Sequence, residues 1–144
     1  MPSKLYGQFL SQALNKEIDW DTDTIKVALL TNSYTPDQDA HNYYDDVVAN
    51  EVTGTGYTAG GNTLANKTNS YNSSTNVITL DADDTTWSSS TITARYAVVY
   101  DATPATNATR PLIGYVDFGS DQSSSNGNFT ITWDATGIVR ITVA

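Results

Sequence analysis

The stretch Thr91-Ile-Thr-Ala-Arg-Tyr-Ala-Val-Val-Tyr100 decides the fold class that the sequence predicts. A strand turns successive side chains to opposite faces. Alternation therefore gives this strand two predicted faces, one with Ala94, Tyr96, Val98 and Tyr100, the other with Arg95, Ala97 and Val99. Because apolar residues occupy both faces, we expect the strand to lie in the centre of a sheet.

Further strand-like runs flank this segment and are separated by Ser, Asn and Gly. The predicted strands are Ile25–Leu30, Thr63–Thr68, Val77–Ala82, Leu112–Phe118, and a terminal hairpin of Asn128–Trp133 and Ile138–Val143 across Asp134–Gly137. In the run Ile25–Leu30, Ile25, Val27 and Leu29 share one face, and Ala28 and Leu30 lie on the other, so we expect burial on both faces. Short strands with turn signals about every 8 to 12 residues predict an all-β protein, either an antiparallel β-sandwich or a small barrel.

The N-terminal residues carry a helical pattern instead. Ser3 is a candidate N-cap for a short α-helix over Lys4–Asn15. The helix would present one apolar stripe made of Leu5, Tyr6, Phe9, Leu10, Ala13 and Leu14. This stripe either packs onto the domain or serves as a docking arm for a neighbouring protein. We therefore expect a single β-rich domain over residues 1–144, with a helical arm at 1–20 and a β-sandwich at 25–144.

Composition narrows the classes of function. The chain has 144 residues, a formal net charge of -9, one histidine and no cysteine. Nucleic acids and anionic membranes attract clustered Lys and Arg, so this acidic balance argues against both as partners. Without cysteine there is no disulfide and no thiolate metal site. We expect no cofactor, no signal peptide and no membrane-spanning segment, and we expect synthesis in the cytoplasm.

The long segment between Thr31 and Gly61 is the least regular part of the chain. It contains the acidic tract Asp37–Asp39, the aromatic pair Tyr43 and Tyr44, and a glycine-rich end. A short element over Val47–Val52 interrupts it. Long loops in compact domains are usually functional or disordered, and the aromatic content here favours an ordered loop.

Motifs for chemistry are weak, and each has a structural alternative. The acidic turn at Asp19 begins like a calcium loop, but Thr24 and Leu30 stand where an EF-hand needs Gly and Glu. His41 could act as a base beside Asp45 or Asp46, or be inert. The glycines from Gly54 onward match a relaxed dinucleotide-binding motif. That motif has to open a helix, whereas a strand is predicted after these glycines. A second carboxylate cluster, Asp81–Asp84, is a further weak candidate for a cation.

The aromatic residues could form a sugar-binding platform or pack in the core: Trp20, Trp87, Trp133, Tyr43 and Tyr44. The sequence therefore predicts no catalytic, cofactor-binding or metal-binding residue and favours a non-enzymatic protein.

Several segments together resemble a known group of proteins. They are Lys4–Leu10, Ala13–Trp20, Asp23–Thr31, Tyr34–Asp39, Asn50–Gly61, Ala94–Asp101 and Pro111–Gly119. They are similar to small virion proteins of tailed bacteriophages, which are capsid decoration (cement) or minor structural proteins. The similarity spans most of the chain but carries no catalytic motif.

This resemblance implies a capsid decoration protein that stabilises the head shell. The expected partner is the major capsid protein, the expected location is the capsid surface of the virion, and the expected assembly is a homo-oligomer, with a trimer favoured. The alternative is a receptor- or carbohydrate-binding module on a phage tail or fibre. Exposed aromatic loops make good anchors, so five residues are predicted to bind the partner: Leu5, Tyr6, Phe9, Tyr43 and Tyr44.

Overall fold

The computed structural model describes residues 3–144 of the chain. Ten strands and one α-helix are present in this part. In chain order they are β1 (Ser3–Leu5), α1 (Phe9–Leu14), β2 (Ile25–Leu30), β3 (Asn62–Thr63), β4 (Thr68–Asn72), β5 (Val77–Asp81), β6 (Thr85–Ser90), β7 (Thr93–Asp101), β8 (Leu112–Ser123), β9 (Gly127–Ile131) and β10 (Val139–Thr142). Short 3₁₀ helices lie at Tyr44–Asp46, Val48–Asn50 and Asn107–Thr109.

The strands form three antiparallel sheets. The largest has five strands in the order β1-β8-β7-β2-β3, and the others are β10-β5-β4 and β6-β9. The predicted all-β, sandwich-like fold with a short N-terminal helix is thus confirmed. Strand β7 lies in the middle of the five-stranded sheet, as its two apolar faces predicted.

One face of the five-stranded sheet packs against the two smaller sheets. Ile25, Val27 and Leu29 of β2 point to this side, and all three are fully buried. The smaller sheets and their connections contribute large side chains, among them Leu80, Trp87, Phe129, Ile131, Trp133 and Val139. This layered arrangement is how an antiparallel sandwich closes its core.

The opposite face is covered by the long segment that follows β2. Ala28 and Leu30 of β2 point to this second side, so the predicted burial of β2 on both faces is confirmed. The segment brings Tyr34, Tyr44 and Val47 against the sheet. Its glycine-rich end continues directly into β3, which pairs with β2, and not into the helix that a dinucleotide site needs.

The predicted helix over Lys4–Asn15 is wrong in its first half. Ser3–Leu5 forms edge strand β1 and pairs with β8, with Lys4 opposite Tyr115. The helix itself is limited to Phe9–Leu14, and Ser3 does not cap it. Residues Ser3–Leu5 are therefore part of the sheet and not of a separate helical arm.

The predicted terminal hairpin is also wrong, because its two strands belong to different sheets. Strand β9 pairs with β6, and β10 pairs with β5. The polar strand β6 was not predicted. The predicted faces of β7 are wrong at Ala94 and Arg95, because the register shifts between Ala94 and Tyr96. Ala94 packs in the core cluster of Ala97 and Val99, while Arg95 pairs with Asp117 and lies over the Tyr96 ring.

Candidate contact surfaces

Three of the five predicted contact residues are inside the fold. Tyr6, Phe9 and Tyr44 are only 2%, 3% and 2% exposed. The Tyr6 hydroxyl is 2.8 Å from the Tyr34 hydroxyl, and the Tyr44 ring stacks on Tyr100 with centroids 4.0 Å apart. These residues contribute to the core, so the prediction that they anchor a partner is corrected.

The other two predicted residues keep part of their surface. Tyr43 is half-buried, and its hydroxyl donates to the Glu17 carboxylate at 3.0 Å, just beyond the end of α1. Leu5 is half-buried at the outer edge of the five-stranded sheet, where it lines a cleft. The structure thus separates Tyr43 and Leu5 onto two different surfaces.

The first surface is the outer side of α1, which we call the helix face and define by Leu10 and Leu14. These side chains are 45% and 84% exposed, and a spacing of four residues places them on the same side of the helix. Phe9 and Ala13 point inward to the core instead. The sequence pattern put all of these residues on one stripe and did not distinguish the exposed leucines.

The second surface is the cleft between β1 and β10, which are edge strands of two different sheets. It encloses about 410 Å³ and reaches down to the buried side chains of Val99, Ile113 and Val139. Lys4 lines it from β1, Arg140 from β10, and Asp134 from the turn before β10. The Asp134 carboxylate accepts hydrogen bonds from the backbone N–H and the hydroxyl of Thr136, which hold its pKa below the usual range.

The tryptophans do not form a binding platform. Trp20, Trp87 and Trp133 are all buried, and the indole N–H groups of Trp20 and Trp133 donate to backbone carbonyls. Core packing, the structural alternative for these residues, is what the structure shows.

The candidate ion and base sites also resolve into local structure. The Asp19 carboxylate accepts the backbone N–H groups of Asp21 and Thr22, as in an ordinary acidic turn. The ring of His41 contacts the Tyr34 hydroxyl and the N–H of Asp37 through Nδ1. Within residues 3–144, no group of three or more acidic or histidine side chains is arranged to hold a metal ion.

One buried acid was not singled out by the sequence. Asp101 ends strand β7 and is fully buried, and its Oδ1 accepts the N–H of Thr103 at 2.8 Å. Its Oδ2 has no hydrogen-bond partner among the described residues. Burial, assisted by the nearby Asp23 carboxyl, raises the pKa of Asp101 to about 6. This is the pattern of a carboxyl group that holds its proton above the ordinary range.

Comparisons with known proteins find no match. The chain matches no family model, no curated protein and no solved structure. Within residues 3–144, every helix is too short or too polar to cross a bilayer.

Proposed function

We propose that this chain is a non-enzymatic structural protein of a tailed-bacteriophage virion, a decoration protein bound to the outside of the capsid. The resemblance of its sequence segments to small virion proteins motivates the proposal. The observation that carries it is the helix face, where Leu10 and Leu14 are exposed on an element that the sheet holds in place.

An exposed apolar pair on a well-packed fold supports docking by burial. Full burial of an exposed leucine contributes about 1.5–3 kcal/mol. Leu14, which is 84% exposed, gains most of this on binding, whereas Leu10, which is 45% exposed, gains about half. Many weak contacts suffice for a protein that binds a lattice in many copies, because neighbouring subunits raise the effective concentration. A homotrimer at the three-fold positions of the lattice makes the same contact with the shell three times.

The charge of the chain supports a partner of opposite sign. A net charge of -9 favours a surface of the major capsid protein that carries Lys and Arg around an apolar patch. Attachment is then expected to weaken at high salt, since exposed charges are screened over about 8 Å at physiological ionic strength.

The test uses capsids that lack the protein, mixed with the purified full chain and separated on a density gradient. The variant Leu10→Ser/Leu14→Ser is expected to fold normally and to lose most of its capsid binding. Val143→Ser is the matched control, because Val143 is also an apolar residue with about half of its surface exposed, at 46%, but lies at the other end of the chain. Equal binding by the wild type and the double variant would reject the helix face as the docking surface.

The copy number per virion tests the assignment to the capsid itself. Hundreds of copies are expected for a decoration protein. A handful of copies would instead assign the chain to the tail or a fibre, as a receptor- or carbohydrate-binding module.

A further inference from the structure

The cleft between β1 and β10 has backbone groups on both sides that no described residue satisfies. The N–H of Tyr6 donates to the Ile113 carbonyl at 3.1 Å, and Leu5 lies opposite Gly114 in the same ladder. Residues of an antiparallel strand alternate between bonding to the neighbour and facing away from it. The N–H and C=O of Leu5 therefore face away from β8, towards the open side of the sheet.

Strand β10 also has a free edge beside the cleft. The N–H of Val143 donates to the Asn76 carbonyl at 2.7 Å, and Arg140 lies opposite Thr79 in that ladder. By the same alternation, the N–H and C=O of Arg140 face away from β5. Two edge strands thus flank a cleft whose floor is apolar, an arrangement that matches a sandwich with room for one more strand.

Charge in the cleft differs from charge on the rest of the protein. Lys4 and Arg140 supply two of the seven basic residues, while the chain as a whole has a net charge of -9. The only ion pair among residues 3–144 joins Arg95 to Asp117, so neither Lys4 nor Arg140 has a carboxylate partner within ion-pair distance. Asp134 lines the same cleft, and its negative charge, which attracts Arg140, offsets one of these two positive charges. The cleft therefore carries an excess of positive charge.

We propose that this cleft binds an extended, acidic peptide segment of another protein, which adds as a strand to the free edge of β1. Backbone bonds to Leu5 provide the affinity that is common to strand addition, and alternate side chains provide the specificity. Apolar side chains on one face of the segment contact the floor at Val116 and Val139, and carboxylates on the other face pair with Lys4 and Arg140. This inference does not depend on the proposed virion role and concerns a surface separate from the helix face.

The experiment uses a fluorescent synthetic peptide in which Val and Glu alternate, titrated with the full chain at low ionic strength and followed by anisotropy. Saturable binding is expected, with amide chemical-shift changes at Leu5 and Arg140. The variant Lys4→Ala/Arg140→Ala is expected to bind the peptide about tenfold or more weakly. Lys16→Asn is the matched control, since Lys16 is exposed, lies outside the cleft and has a φ of 63°, which Asn tolerates.

Two further peptides separate the contributions. A peptide with alternate amides N-methylated keeps the side chains but cannot pair as a strand, and its affinity is expected to be about tenfold or more lower. A peptide with Lys in place of Glu tests the charge, and its affinity is also expected to be about tenfold or more lower. The proposal is overturned if the acidic peptide does not bind at millimolar concentration, or if its binding is unchanged by Lys4→Ala/Arg140→Ala. Self-association of the chain that this double variant abolishes would also overturn it, because the occupant would then be a second copy.

Discussion

Replacing Tyr44 by Ala tests whether the long segment after β2 is part of the core or a free docking loop. Tyr44 is 2% exposed, and its ring lies on Tyr100 at 4.0 Å with an angle of 11° between the planes. Truncating a buried aromatic side chain to Ala costs about 3–5 kcal/mol. Part of that cost is the loss of the ring pair, which contributes about 0.5–1.5 kcal/mol beyond area burial.

Thermal unfolding followed by circular dichroism measures the effect. For a chain of this length each kcal/mol corresponds to a few degrees, so Tyr44→Ala is expected to lower Tm by roughly 10–20 °C. Tyr44→Phe keeps the ring and removes a hydroxyl that has no hydrogen-bond partner among the described residues. This variant is expected to be neutral or slightly more stable than the wild type, since a buried unpaired polar group is costly.

A neighbouring residue provides the control. Tyr43→Ala removes one hydrogen bond, to Glu17, near the surface. Its expected cost is below about 1 kcal/mol, as for most surface substitutions. If Tyr44→Ala unfolds within a few degrees of Tyr43→Ala, the segment is not packed as described and Tyr44 returns as a candidate contact residue.

Two other substitutions test backbone and charge. Gly61→Ala would place a Cβ 1.9 Å from the Val27 carbonyl at a φ of +73°, whereas Gly119→Ala at +81° meets nothing within 4 Å. Both variants are destabilised by about 1–2 kcal/mol because Ala disfavours the left-handed backbone, but only Gly61→Ala adds the clash with Val27. Urea unfolding is therefore expected to show a much larger loss in free energy of unfolding for Gly61→Ala than for Gly119→Ala. Equal losses would mean that β2 and β3 do not approach this closely. Asp101→Asn tests the buried acid. Because the folded-state pKa of Asp101 is raised from 3.8 to about 6, its protonation favours the folded state at low pH, and that stability is lost as pH rises through about 6. Relative to the wild type, Asp101→Asn should gain about 1–3 kcal/mol in free energy of unfolding above pH 7 and nothing near pH 4; a difference that does not change with pH would contradict the raised pKa.

Sequence reasoning found the strands with burial on two faces and also strands such as β9 and β10, in which alternate residues are exposed. Strand β2 is apolar except at Lys26, and β7 is apolar on both faces from Tyr96 to Tyr100, so alternation alone predicts both their existence and their central place. Strand β6, with the sequence Thr85-Thr-Trp-Ser-Ser-Ser90, buries only Thr85, Trp87 and Ser90 and has too few apolar residues to be recognised. Strand β1 has three residues, and only pairing with β8 makes them a strand.

The contact surface was harder to predict for a different reason. Hydrophobicity indicates that a side chain favours burial, but it does not say whether the burial occurs on folding or on binding. Tyr6 and Leu14 both lie on the predicted apolar stripe, yet Tyr6 is buried and Leu14 is 84% exposed. The difference arises because the helix begins only at Phe9, which changes the direction of every side chain before it. The cleft could not be predicted, since it requires knowing that β1 and β10 are both sheet edges.

The pairing of β1 with β8 determines the order in which the protein can fold. Ser3 lies opposite Val116, so β1 has no partner during synthesis until β8 has left the ribosome. Contacts between residues so distant in sequence carry a high entropic cost and slow the folding of β proteins to milliseconds or longer. Until β8 emerges, the N-terminal residues must remain unpaired, with Tyr6 and Phe9 exposed to solvent or to chaperones.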